Sequence, residues 1–296
     1  MQQFKITNKV KECVAEVYFL TESNILPDGE NQYEYMLSLI RQLPNGLDRA
    51  WFQGHRGEVL AGEIFKMMFE CVKNPEKLKI QKYNAEDLMQ KIDSTIYSAV
   101  TEIPFAVHKY FVFPKFKKGE LSAFCYTAAS TFVFIHPDCS ISDLCHTLAH
   151  EYFHAAVKFH ELERQKKKGG QVENRNNQQT MISEGLADRF ADEITKMDSS
   201  RMYRISERKL KEILLQSKSI FASNTEKDYK YLFARNKNEL YPGKSFKYGI
   251  GYYIGYYLAG KITSKYVNGT KSDWKAIVKK PLEVLFDESW NDTFYD

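Results

Sequence analysis

The chain has 296 residues, 43% of them hydrophobic and 27% charged, with a net charge of +4. That length buries a sizeable core as one large domain or two smaller ones, and the modest charge gives no ground for a nucleic-acid partner. Five scattered cysteines argue against a disulfide framework, and no run approaches the roughly 18 apolar residues of a membrane span. Met1 to Leu20 mixes polar and apolar residues and lacks the apolar core of a signal peptide. The sequence therefore reads as cytoplasmic, with reduced thiols and no membrane partner.

Apolar residues at three-to-four spacing predict helices over Tyr33–Leu43, Glu58–Val72 and Ala85–Val100, punctuated by Asn45-Gly46 and Pro75. Residues 1–100 read as a helical N-terminal region. Trp51 and His55 read there as a packing residue and a loop residue. The texture changes at Phe105. Phe105–Phe113 and Ala123–Ile135 are rich in aromatic and β-branched residues and predict two strands, with an exposed basic turn at Lys115–Lys118 between them.

Ser140-x-x-Asp143 has the capping-box form that opens a helix. That helix carries His150-Glu151-Tyr152-Phe153-His154, an H-E-x-x-H motif. Side chains four apart on a helix share a face, so both imidazoles could grip one metal ion, with Glu151 beside them as a base. Ile141, Leu144, Leu148, Tyr152, Ala155 and Phe159 make a separate apolar stripe. The helix should run to the basic Lys166–Lys168 and stop at Gly169-Gly170. A polar loop, Gln171–Gln179, leads to a second helix near Thr180, with Ile182, Leu186, Phe190 and Ile194 inward.

A catalytic zinc takes three protein ligands and keeps one position open. His160 has metzincin spacing, but Val157 stands where that pattern turns sharply at a glycine, and a β-branched residue resists positive φ. On a continuing helix His160 lies about 120° around from His154. His146 and His154 span about 12 Å of rise, too far for three imidazoles to meet. Glu184, on the second helix, can complete a His₂Glu set. Asp188, one turn on, can accept the free ring N–H of a ligand histidine. Gly185 removes a side chain where the two helices should approach.

His150-Glu151-x-x-His154 with Glu184-x-x-x-Asp188 resembles the gluzincin metallopeptidases. The Glu184-Gly185-Leu186-Ala187 run and Tyr248-x-Ile250-Gly251-Tyr252 are similar to the predicted zinc-protease family known as domain of unknown function 2268. The resemblance covers residues 100–262. It implies an α+β, mostly helical zincin-like fold with a small mixed sheet, residues 101–296 forming the catalytic domain. It implies Zn2+ and a peptide or protein substrate. It also implies an oxyanion donor further along the chain, for which Tyr248 and Tyr252 are candidates and His146 the reserve, and a strand before the motif helix that pairs with extended substrate.

A catalytically inactive zinc-bearing binding module is the alternative, although such a site has no use for Glu151 as a base. Pro242-Gly243-Lys244-Ser245 has the end of a P-loop, but Asn238 occupies the place of its first glycine. The basic runs Arg164–Lys168 and Arg201–Lys211 carry interleaved acids and read as solvated faces rather than a nucleic-acid surface.

Overall fold

A computed structural model describes residues 2–8, 13–19, 85–105, 108–114, 123–127, 130–135, 139–168, 175–203, 205–233 and 249–294. The expected helices over 33–43 and 58–72 lie outside these residues, as do Trp51, His55 and Tyr248. The described chain is α+β, and helices dominate it. No described helix is long and apolar enough to cross a membrane. Two compact units divide at Leu148 and Ala149.

The first unit holds a five-stranded mixed sheet in the order β1-β2-β3-β5-β4. Strands β1 (Gln2–Asn8) and β2 (Cys13–Phe19) form an antiparallel pair, and β2 runs parallel to β3 (His108–Pro114). The start of the region 1–100, which reads as helical overall with its first named helix at Tyr33, is thus strand. Phe4 and Ile6 alternate with Lys5 and Thr7, the period of a strand rather than a helix. Helix α1 (Ala85–Glu102) packs on β1 and β2, burying Ile92, Ile96, Ala99 and Val100.

The single strand expected over 123–135 is instead a hairpin, β4 (Ala123–Thr127) and β5 (Ser130–Ile135), with an irregularity between Cys125 and Thr127. The segment expected to pair with substrate before the motif helix thus holds two strands. β5 precedes that helix, but β3 and β4 occupy both its edges. The free edges of the described sheet belong to β1 and β4.

Helix α2 (Ile141–Lys168) opens as expected. Asp143 N–H donates to Ser140 Oγ at 3.0 Å, and Ser140 N–H donates back to Asp143 Oδ2 at 3.3 Å. The Tyr110 hydroxyl donates to the Leu148 carbonyl at 3.2 Å.

The second unit is helical. Helix α3 (Asn177–Thr195) starts three residues before Thr180, because Asn176 and Gln179 form a reciprocal capping box. The last residues of the expected polar loop, 176–179, are the cap and first turn. The expected stripe is buried at Ile182, Leu186 and Phe190. Phe153, Phe190 and Trp274 close the core edge to face and tilted, with centroids 5.1–5.6 Å apart. Around them lie α4 (Glu207–Phe221), α5 (Glu226–Phe233), α6 (Ile250–Lys265), the short α7 (Trp274–Ile277) and α8 (Leu282–Phe294).

Gly185 does permit a close approach, but the neighbour is α6 rather than α2. A Cβ at Gly185 would lie 2.0 Å from the Gly255 carbonyl carbon and oxygen, and one at Gly255 would lie 2.1 Å from the Met181 carbonyl oxygen. The two backbones touch there. Arg189 fastens the same crossing, its guanidinium carbon 3.8 Å from the Tyr256 ring centroid and its Nε donating to the Tyr256 carbonyl.

Candidate metal centre

Helix α2 puts His150 and His154 one turn apart, with ring centroids 4.7 Å apart. Their Nε2 atoms face each other at 3.0 Å. Glu184 on α3 comes in from the side, Oε2 at 3.5 Å from His150 Nε2 and Oε1 at 3.4 Å from His154 Nε2. Among the described residues these three form a group whose donor atoms lie within 4.8 Å of one another. His146 and His160 are outside it. His160 follows from an unbroken helix through Val157: its ring lies against Phe159, and burial, then Arg164 and Lys279, lower its pKa.

The outward nitrogen of each imidazole has its own partner. His150 Nδ1 lies 2.8 Å from Asp188 Oδ1, and His154 Nδ1 lies 3.1 Å from Ser183 Oγ. A carboxylate only accepts, so His150 carries its proton on Nδ1 and turns Nε2 inward. Asp188 stands where the sequence reading puts it.

Two further layers lie behind these partners. The Tyr203 hydroxyl donates to Asp188 Oδ2 at 2.6 Å. Arg175 donates from Nη1 to Ser183 Oγ at 3.1 Å and from Nη2 to Glu161 Oε2 at 2.7 Å, tying α2 to the start of α3. Sequence reasoning misses Ser183, Tyr203 and Arg175. Ser183 could have been found, since it precedes Glu184 directly. Tyr203 follows a short 3-10 turn, Ser199–Arg201, and no periodicity points to it.

The donor set fits zinc. Two imidazoles and a carboxylate are its common ligands, and bonds of about 2.0–2.1 Å in a tetrahedron put ligand atoms about 3.3 Å apart. The three separations, 3.0, 3.4 and 3.5 Å, bracket that value. Glu151 adds a second sign. It is 6% exposed, and its Oε2 has no hydrogen-bond partner among the described residues. A buried carboxylate oxygen without a donor is costly, and such atoms collect at functional sites.

Charge coupling runs through the cluster. Burial would raise the Glu184 carboxyl, but the charge of His154 and hydrogen bonds from both histidines hold it well below the carboxylate range. Burial would lower His150, but the charge and hydrogen bond of Asp188, then Glu184, carry it well above its usual value. Glu151 goes the other way from Glu184. Burial pushes its carboxyl up, against the charges of His154 and His150. The two neighbouring carboxyls are thus shifted in opposite directions.

Tyr252, on α6, is partly buried, with its ring 5.5 Å from that of Phe233. Its phenol also bears on that of Tyr203. Tyr248 lies outside the described residues.

No curated protein matches the chain. One family does, described as "Predicted Zn-dependent protease (DUF2268)", over residues 81–285. That stretch takes in α2, α3 and α6 whole, and by it the chain belongs to the predicted Zn-dependent protease family.

Proposed function

We propose that the protein is a zinc-dependent peptidase of gluzincin type with a zincin-like catalytic fold. His150, His154 and Glu184 hold the metal, and Glu151 is the general base. The observation that carries this reading is the convergence of the two Nε2 atoms and the Glu184 carboxylate at 3.0–3.5 Å, beside a buried Glu151 oxygen with no partner among the described residues.

Bound zinc supplies a Lewis acid that lowers the pKa of a water and polarises the substrate carbonyl. Glu151 Oε2 takes a proton as the water oxygen attacks the peptide carbonyl carbon. It returns that proton to the amide nitrogen as the C–N bond breaks, leaving a carboxylic acid and an amine, and the acid's proton then passes to the amine. The raised Glu151 carboxyl suits a group that must hold a proton between these steps. A Tyr252 or Tyr248 hydroxyl donates to the developing oxyanion. Asp188 and Ser183 keep the two imidazoles turned inward. The partner is a peptide or protein.

The test compares zinc content and cleavage of a peptide library. Wild type should carry one zinc and cleave. Glu151→Gln should carry zinc and not cleave, whereas Glu184→Ala should lose most of the metal. Full zinc occupancy in Glu184→Ala would overturn the ligand assignment. Zinc binding without cleavage in wild type would favour the inactive binding module instead.

A further inference from the structure

We propose that Tyr203 is a positioning residue for the metal centre, acting on His150 through Asp188. The inference rests on the zinc reading above and extends it by a layer. Asp188 is 6% exposed, so water has little access to its carboxylate. Its oxygens divide their work: Oδ1 holds His150 Nδ1 at 2.8 Å and Oδ2 accepts from Tyr203 at 2.6 Å. A carboxylate held at one oxygen only can swing about its Cβ–Cγ bond, since such torsions are broad. Held at both, it has one orientation, and so does the imidazole it grips. Removing the hydroxyl would also leave a buried oxygen short of a donor.

The ring of Tyr203 is itself held. It lies edge to face against Tyr253 at 5.3 Å and tilted against Tyr256 at 4.9 Å. Both belong to α6, flanking the Gly255 that touches Gly185 of α3. Asp188 is three residues beyond Gly185 on that helix. The backbone contact between α3 and α6 therefore fixes the carboxylate and the phenol ring relative to each other. A path of packed and hydrogen-bonded groups leads from α6 through Tyr203 and Asp188 to His150. Burial, and then the Asp188 charge, push the Tyr203 pKa upward, so the phenol keeps its proton and remains a donor.

Tyr203→Phe deletes the hydroxyl and leaves the ring packing. Zinc affinity would be measured on the full chain by competition with a chromophoric chelator, and again from the rise of melting temperature with zinc, which also reads a weakened fold. Tyr203→Phe should bind zinc about 3- to 30-fold more weakly, less than the about 10- to 100-fold expected of Asp188→Asn. The double variant should bind no more weakly than Asp188→Asn alone, because Tyr203 acts through Asp188. Tyr257→Phe is the control. It removes a hydroxyl that donates to Glu207 at 2.7 Å on the surface, and its zinc affinity should equal wild type.

Unchanged affinity in Tyr203→Phe, with or without a lower metal-free melting temperature, makes Tyr203 merely structural and overturns the inference while the zinc site stands. Losses that add in the double variant overturn it as well. Wild type that binds no zinc overturns the site reading and this inference together.

Discussion

Helix α3 meets its two neighbours by opposite means. Toward the histidines of α2 it presents Ser183, Glu184 and Asp188, each matched to a nitrogen at 2.8–3.5 Å. Toward α6 its closest approach is backbone to backbone, Gly185 against Gly255, with Arg189 fastening the crossing from one side. The first contact is chemical and tolerates small shifts through side-chain rotation. The second is steric and tolerates none, since the atoms in the way are backbone. The site therefore depends on a contact that contributes nothing to its chemistry.

That contrast can be broken at its steric end first. Gly185→Ala sets a methyl 2.0 Å from backbone atoms of Gly255. It should cost about 3 kcal/mol or more, the upper end of overpacking, read as a fall in melting temperature of metal-free protein. A variant as stable as wild type would show that the crossing is not close.

At the chemical end, Glu184→Ala should fold normally and lose more zinc affinity than the about 100-fold that outer partners cost. Asp188→Asn and Ser183→Ala sharpen the comparison within the site. Asp188 backs His150 with a charge, and Ser183 backs His154 with a neutral hydroxyl that already accepts from Arg175. Charge-assisted bonds are about twice as strong. Asp188→Asn should thus cost more affinity than Ser183→Ala, with chelator competition as the readout. Equal losses would mean that the two imidazoles are held alike.

The smallest effect is one of pH on the metal-free fold. Burial would lower His150, but Asp188 raises it well above its usual value. A raised pKa stabilises below the unfolded value, about 6.5, and that stability is lost as pH rises through the folded value. Denaturant midpoints of metal-free protein should fall over that window, and less so in Asp188→Asn.

What could be read from the sequence follows the same division. His150, His154, Glu151, Glu184 and Asp188 sit at helix spacings that the chemistry dictates, so they were legible. The Ser140–Asp143 cap was legible because its residue types are nearly obligatory. Gly185 was legible as a close approach but not as to which helix, since a missing side chain carries no address. The β4–β5 hairpin was hidden because Ala128-Ala129 lacks the glycine, asparagine or proline of a common turn. The early start of α3 was hidden because Asn176 and Gln179 look like loop. Tyr203 and Arg175 reach the site from outside the helices, where no period links them to it.

The central claim is that Glu151 moves the proton at a centre held by His150, His154 and Glu184. The most direct test is peptide cleavage by Glu151→Gln at zinc occupancy equal to wild type. The account predicts full zinc and a loss of about 100- to 10,000-fold in rate, the contribution of a general base. Cleavage at the wild-type rate in zinc-loaded Glu151→Gln would contradict it.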